Sequence, residues 1–451
     1  MPGRKESRPA YDSDISESFE CASELIDHHA VKGKTPQGSV QTPQVPTELT
    51  SYSQVLAIPE FRTIFAAQTV ATLANVVVQI TLAVLVFQQS GSPLLSSLTF
   101  ALGFAPYIFS ATLLSALTDR FSARSVMASS HLLSALVIAS MAIPGLPVWA
   151  VLVLLVLLGI ATPVFQGARA ANLPDVLGES GYTLGRSLLR LVSQSTQVIG
   201  FAAGGLLLLV WSPATCLLVS AAGCGLAAAL VQLGTPFRPP RTLVDVPRKS
   251  LTRDSLSGVR EILAIRQLRP LLLLTWLPPV FVVAPEALAV PYAEQLGSTS
   301  VLVGLLLCGA PVGSVLGELA TGLSAPARTR VRLMFPFAIL MFLPLLVFVA
   351  EPGAIVAVSL LVTCGLGFTY AMGLDQRVLD ATPDRLRGQT LTLTVAGLMT
   401  GQGIGFALAG ALAEVVSASN VIALAGGAGL LSVAACNIAI RRQHRVDHPA
   451  S

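Results

Sequence analysis

The sequence predicts an all-α integral membrane protein with twelve transmembrane helices in two six-helix halves. Three observations support this fold class: an apolar composition, twelve apolar segments and an internal repeat. Hydrophobic residues make up 53% of the 451 residues and charged residues only 12%, about half the charged share of a soluble domain. Because so few charges cannot cover a water-facing surface, we expect the chain to lie in a lipid bilayer.

Twelve segments of the chain approach or exceed the roughly 20 apolar residues that a helix needs to cross a bilayer. They are residues 63–88, 93–117, 125–143, 147–168, 186–210, 213–233, 270–292, 299–322, 332–350, 353–374, 389–414 and 418–440. The polar stretches between them divide the chain. We expect a disordered cytoplasmic tail (1–60), a first six-helix half (61–233), a cytoplasmic central linker (234–269), a second half (270–442) and a cytoplasmic C-terminal tail (443–451).

The basic residues test this arrangement. All 28 Lys and Arg residues fall on one side of the twelve-span topology, and eight of them lie in the central linker. Basic residues collect in cytoplasmic loops, so we expect both termini in the cytoplasm and the chain in the plasma membrane. This asymmetry also explains the net charge of +4 without a nucleic-acid partner.

One apolar phrase occurs twice, as "VIGFAAGG" at 198–205 and "GIGFALAG" at 403–410, with five of eight positions identical. The copies lie in spans five and eleven, which run in the same direction, as in a parallel repeat of two halves. Glycines four residues apart let membrane helices approach closely. The predicted packing positions are Gly200, Gly204, Gly401, Gly405, Gly309, Gly313 and Gly317. A dinucleotide-binding glycine loop is excluded because it needs a preceding strand.

The loop after span two reads "SALTDRFSAR" over residues 115–124. With the helix count, this loop resembles that of the major facilitator superfamily, written G-x-x-x-D-R-x-G-R-[RK], and the resemblance covers roughly residues 55–445. The family positions are kept at Asp119, Arg120 and Arg124, whereas Ser115, Ser122 and Ala123 depart from the pattern. The loops "ARAANLPD" and "ATPDRLRG" look most like those of bacterial multidrug, antibiotic and siderophore exporters.

The resemblance implies a gating role for Asp119, Arg120 and Arg124. In that role the Asp119 carboxylate faces the positive N-terminal end of span eleven and holds the cytoplasmic side closed. The alternative is a solvated acid in a turn.

Two polar stripes mark a candidate transport path. In span one, Gln68, Thr72, Asn75 and Gln79 are spaced to share one helix face. In span five, Arg190, Gln194 and Gln197 repeat that spacing. Polar side chains are costly in lipid and therefore face protein or water. Substrate contact and interhelical hydrogen bonding are both compatible with these stripes.

Glu286 follows Pro285 in span seven, about sixteen residues from the start of that span. A carboxylate at membrane depth is a candidate for proton coupling. The alternative is a water-exposed acid at the external mouth of the path.

The sequence contains no catalytic set, nucleotide loop or metal-binding spacing, so we expect neither an enzyme nor a cofactor or metal. We expect a monomeric secondary transporter that exports small amphipathic molecules by alternating access, with a coupled proton if Glu286 serves that role. The alternatives are a nutrient importer or facilitator, and a non-transporting membrane sensor that uses the N-terminal tail.

Overall fold

The computed structural model describes residues 52–104, 121–238, 259–297, 300–324 and 326–447. Within these ranges every regular element is a helix and none is a strand. Three predicted features lie outside the described residues: most of the N-terminal tail, the second part of span two with Asp119 and Arg120, and most of the central linker.

The first half contains six helices that follow the predicted spans. A short helix, Tyr52–Ala57, precedes them. The six helices of the half are α1 (Pro59–Ser90), α2 (Pro93–Phe104), α3 (Ala123–Met141), α4 (Val148–Gly178), α5 (Leu184–Val210) and α6 (Pro213–Gly234). Their ends follow from local chemistry. Pro59 and Pro213 start helices, where a missing N–H costs nothing, and Gly91 ends α1 with a left-handed φ of 64°.

The second half repeats the pattern with more interruptions. Its helices are α7 (Leu268–Val282), α8 (Ser300–Ser324), α9 (Ala327–Phe342, extended by a 3-10 helix to Ala350), α10 (Ala354–Leu366, extended to Asp380), α11 (Arg387–Ala413) and α12 (Ala418–Asp447). Among the described residues, eleven segments are long and apolar enough to cross a membrane. The remaining predicted span, 93–117, is described only over α2.

Two predicted loops are helical instead. Span four was expected to end at 168, but α4 continues to Gly178, which alone has non-helical angles within Val148–Val210 (φ 65°, ψ 178°). Span ten was expected to end at 374, but helix continues to Asp380. The extensions form because each has an apolar face. Leu173 and Leu177 of α4 belong to one buried apolar cluster with Phe61 of α1 and Val55 of the short helix Tyr52–Ala57.

Helix α7 breaks twice beyond Val282, and two short helices, Ala284–Ala287 and Ala289–Gln295, complete this part of the chain. The breaks follow from proline. Pro285 and Pro291 each remove a backbone donor and clash with the preceding turn. The predicted span 270–292 therefore contains the right residues but is not one continuous helix.

The two ends of the helix bundle differ in their connections. The distal end has the short connections at 91–92, 211–212, 351–353 and 414–417. The linker end has the described flanks of the central linker, residues 235–238 and 259–267. The largest buried apolar cluster joins the halves, since it includes Ile80, Phe100 and Phe201 with Leu306 and Phe406.

Candidate functional site

The halves meet along two helix pairs toward the distal end. In the first pair, α2 packs on α11, and the Phe406 ring stacks on Phe100 and Phe104 with centroids 5.3 and 5.7 Å apart. In the second pair, α5 packs on α8, and the Ser300 hydroxyl donates to the Gly205 carbonyl oxygen at 3.3 Å. These contacts close the space between the halves at the distal end.

At the linker end, polar contacts fasten each half to its own flank of the central linker. The Arg238 guanidinium donates to both Glu60 carboxylate oxygens, one of them at 2.8 Å, and this partner raises the pKa of Arg238. In the second half, Arg385 pairs with Glu261, and the Gln443 amide donates to the Arg266 carbonyl oxygen. The flanks of the linker are thus tied to α1 on one side, and to the residues just before α11 and the end of α12 on the other.

The repeated phrase has equivalent surroundings in both halves. A Cβ on Gly200 would stand 2.8 Å from the Val76 Cβ of α1, and one on Gly405 would collide with the Val280 carbonyl oxygen of α7. The last glycine of each copy faces the opposite half instead. Gly205 lies against Gly304 of α8, and a side chain on Gly410 would collide with Ser97 of α2.

The other glycines in the predicted packing set also lie at close helix approaches. Gly204 meets Ile80 of α1, and a Cβ on Gly401 would stand 2.9 Å from the Trp276 carbonyl oxygen of α7. Along α8, all three predicted glycines face α10: Gly309 meets Leu361, Gly313 meets Val362 and Gly317 meets Leu366 and Thr369. Each of these contacts stays within one half, whereas Gly205 and Gly410, which the prediction missed, pack between the halves.

The α1 stripe (Gln68, Thr72, Asn75 and Gln79) is half-buried throughout. The Gln68 amide donates to the Thr72 hydroxyl at 2.9 Å, and the Asn75 amide donates to the Ala71 carbonyl oxygen at 2.8 Å. The Gln68 side-chain oxygen is buried and accepts no hydrogen bond from the described residues. Another face of α1, with Val70 and Ala74, packs on Gly223 of α6, so the stripe is not used for that contact.

The two described members of the α5 stripe differ in position. At about 100° per residue, Gln197 falls between the face that meets α1 and the face that meets α8, whereas Gln194 lies on the α8 face, about 20° from Gly205. Both side chains are half-buried. Gln197 therefore faces the gap between these two helix contacts. The side chain of Arg190 lies outside the described part of the chain.

Gln402 is a position that the site prediction missed. The repeat offset of 205 residues pairs it with Gln197. On α11, Gln402 lies between the face that meets α7 and the face that meets α2, and its side chain is half-buried. The repeat therefore contained the signal that could have found this residue.

Glu286 lies in the short helix Ala284–Ala287, between the two breaks of α7, and is half-buried. It stands 18 residues beyond Leu268, about 27 Å along the helix at 1.5 Å per residue. Its short helix packs on α11, α8 and α2. Glu286 is thus near the distal contact between the halves. Among the described residues, no three His, Cys, Asp or Glu side chains are grouped as a metal site requires.

The loop after span two is described only from residue 121. Ser122, where the family pattern has glycine, caps α3 by accepting a hydrogen bond from the Ser125 backbone N–H at 3.3 Å. Arg124 is half-buried in the first turn of α3. Ser122 therefore fits its position because the turn needs a cap and has no left-handed φ.

Comparison with known proteins agrees with the helical architecture. Solved structures that the chain resembles include the nucleoside transporter NupG (TM-score 0.67, 14% identity, 84% of this chain and 98% of that chain). They also include the peptide transporter POT in complex with sulfate (TM-score 0.65, 14% identity, 87% and 99% coverage). At such low identity these similarities concern the fold alone.

Two curated relatives cover most of the chain. Macrolide efflux protein A of Streptococcus pyogenes is 23% identical over 380 residues, which are 81% of this chain and 92% of the relative. Multidrug efflux pump Tap of Mycolicibacterium fortuitum is 25% identical over 367 residues, which are 78% of this chain and 88% of the relative.

The sequence profile of the Major Facilitator Superfamily matches residues 64–379. This match confirms the family resemblance deduced from the loop after span two and from the helix count. The all-helical fold in two halves is confirmed with it. The chain belongs to the Major Facilitator Superfamily, and it is accordingly a multi-pass membrane transporter of small molecules and not an enzyme.

Proposed function

We propose that the protein exports small amphipathic molecules from the cytoplasm by alternating access. The observation that carries this proposal is the similarity to two efflux proteins along about four fifths of the chain. The cargo would be an uncharged or weakly cationic apolar compound, because five of the seven residues in the two polar stripes are amides, Arg190 is the one charged residue, and none is an acid.

We propose that the linker end is cytoplasmic, because the basic residues of the chain collect on that side of the topology. With this orientation, the α2–α11 and α5–α8 contacts close the outer side of the protein. Such a state would load cargo from the cytoplasm, as an exporter requires.

Two features support cargo contact between the halves. The α1 stripe offers the Gln68 oxygen, a buried acceptor without a donor among the described residues. A buried acceptor is costly while it is unpaired, and a cargo hydroxyl or ammonium group could supply the missing donor. Gln197 and Gln402 provide one amide from each half, on matching faces of α5 and α11.

Glu286 is the proposed proton-coupling residue. It is half-buried at the place where α7, α2, α8 and α11 come together. A carboxylate there would experience a different environment whenever the distal contact opens, so its protonation would be linked to the movement of the halves. The loop after span two, with Asp119, Arg120 and Arg124, is the proposed gate at the linker end.

The proposal is tested by accumulation of a radiolabelled macrolide in cells with and without the protein. We expect lower accumulation in cells that contain it, and an uncoupler should abolish the difference. Gln197→Ala and Gln402→Ala should each raise accumulation toward the level without protein. Gln389→Ala is the matched control, because Gln389 is exposed at the linker end of α11. Higher accumulation in cells with the wild-type protein would indicate an importer.

A further inference from the structure

One contact between the halves is made by a charged group at the distal end. Glu414 follows the last residue of α11, and its carboxylate accepts hydrogen bonds from two groups at the start of α2. The donors are the Ser92 hydroxyl and the Leu94 backbone N–H, the latter at 3.0 Å. An acid of the second half thus caps the first turn of a helix of the first half.

The start of α2 suits an anion. Its first N–H groups have no partner within the helix, and the helix dipole places partial positive charge there. Ser92 also caps its own helix by accepting from the Leu95 N–H at 3.1 Å. The Ser92 hydroxyl therefore uses its acceptor side for α2 and its proton for Glu414.

The contact lies at the edge of a larger interface. One helix turn from Glu414, Gly410 lies against Ser97 and Leu94 of α2. Farther from the distal end, Phe406 stacks on Phe100. Because the close glycine approach brings the two helices together, the carboxylate reaches the start of α2 only when the halves are closed at this end.

From these contacts we propose that Glu414 is a latch that holds the distal side closed and releases once in each transport cycle. The α2 and α11 helices are antiparallel, so the start of α2 lies beside the end of α11.

The latch is tested by measuring a distance across the distal end. Trp149→Cys on α4 and Ile355→Cys on α10 provide spin-label positions that are 70% and 84% exposed. Cys21→Ser removes the cysteine outside the described residues, and the other five are buried. Pulsed electron paramagnetic resonance on the purified full chain then reports the ratio of distal-open to distal-closed populations without cargo.

We expect Glu414→Lys to raise that ratio roughly tenfold, because it places a positive charge at the positive end of a helix. Glu294→Lys is the matched control, since Glu294 is exposed in the helix Ala289–Gln295 at the same end, and it should leave the ratio unchanged. Equal ratios in the Glu414→Lys protein and the wild type would overturn the proposal. An equal shift in both variants would also overturn it, since a general charge effect would then suffice.

A second variant keeps the test decisive if Glu414→Lys does not fold. Ser92→Ala removes one donor and should shift the ratio in the same direction by a smaller factor. Combined with Glu414→Ala, it should add nothing to the shift of Glu414→Ala alone, because both changes break the same contact. Additive shifts would contradict the latch. The proposal rests on alternating access, but the distance is measured without cargo, so failure of efflux and failure of the latch are separate results.

Discussion

At the scale of single residues, the polar stripe of α1 offers a direct comparison of two threonines. Thr72 belongs to the stripe and accepts from Gln68, whereas Thr69 lies on another face and donates to the Phe65 carbonyl oxygen at 2.8 Å. We expect Thr72→Val to lower macrolide efflux about fivefold, the effect of losing one hydrogen bond. Thr69→Val should leave efflux unchanged at equal expression. Equal losses in both variants would assign the stripe to helix packing.

Glu414 gives a prediction about pH. The Ser92 hydroxyl and the Leu94 N–H favour its charged form and lower its pKa below the ordinary value of 4.5. A carboxylate with a lowered pKa stabilises its contact above the ordinary pKa and loses that effect as pH falls through the lowered value. We therefore expect the difference in distal spin-label distance between the wild type and Glu414→Gln to stay constant from pH 8 to pH 5 and to disappear only below about pH 4. A transition between pH 5 and 8 that vanishes in Glu414→Gln would contradict this assignment.

At the scale of elements, the glycines of the repeated phrase differ in what they contact. Gly405 touches the Val280 backbone of α7, whereas a Cβ on Gly225 of α6 would meet nothing within 4 Å. We expect Gly405→Ala to destabilise the protein by about 1–3 kcal/mol through overpacking. Gly225→Ala should be neutral or stabilise it by about 0.5–1 kcal/mol, since alanine favours helix. Thermal unfolding of the purified protein checks both changes, and equal melting temperatures would contradict the packing role of Gly405.

The elements also show what sequence can and cannot predict. Helix positions follow from apolar length alone, and the described helices match the predicted spans within a few residues at most ends. The extensions of α4 and α10 were missed because their apolar faces pack on other parts of the protein, as Leu173 does on Phe61, and not in lipid. A hydropathy pattern does not distinguish these two surroundings.

The candidate site was predictable only in part, because the local sequence does not show which helices become neighbours in the fold. The repeat showed that Gly200 and Gly405 are equivalent, but not that Gly205 and Gly410 reach the opposite half. That difference depends on which helices the fold makes neighbours. The Glu414 contact joins residues 320 positions apart at Leu94, and nothing in the local sequence around either residue indicates it.

At the scale of the whole molecule, the proposed orientation predicts which residues face the cytoplasm. Arg248 belongs to the central linker. A cysteine introduced by Arg248→Cys should react with an impermeant thiol reagent only after cells are opened. Trp149→Cys, exposed at the distal end, should react in intact cells. Labelling of Arg248→Cys from outside would reverse the orientation and, with it, the assignment of the closed distal side as the outer side.

The central claim is that the protein moves cargo out of the cytoplasm, and transport in inside-out membrane vesicles tests it most directly. An acidified lumen should drive uptake of a radiolabelled macrolide into vesicles that contain the protein. The Glu286→Gln variant should lose the proton-driven part of this uptake. The Glu294→Gln variant should retain it, because Glu294 is an exposed acid after the second break of α7. Uptake no greater than in vesicles without the protein would contradict the account.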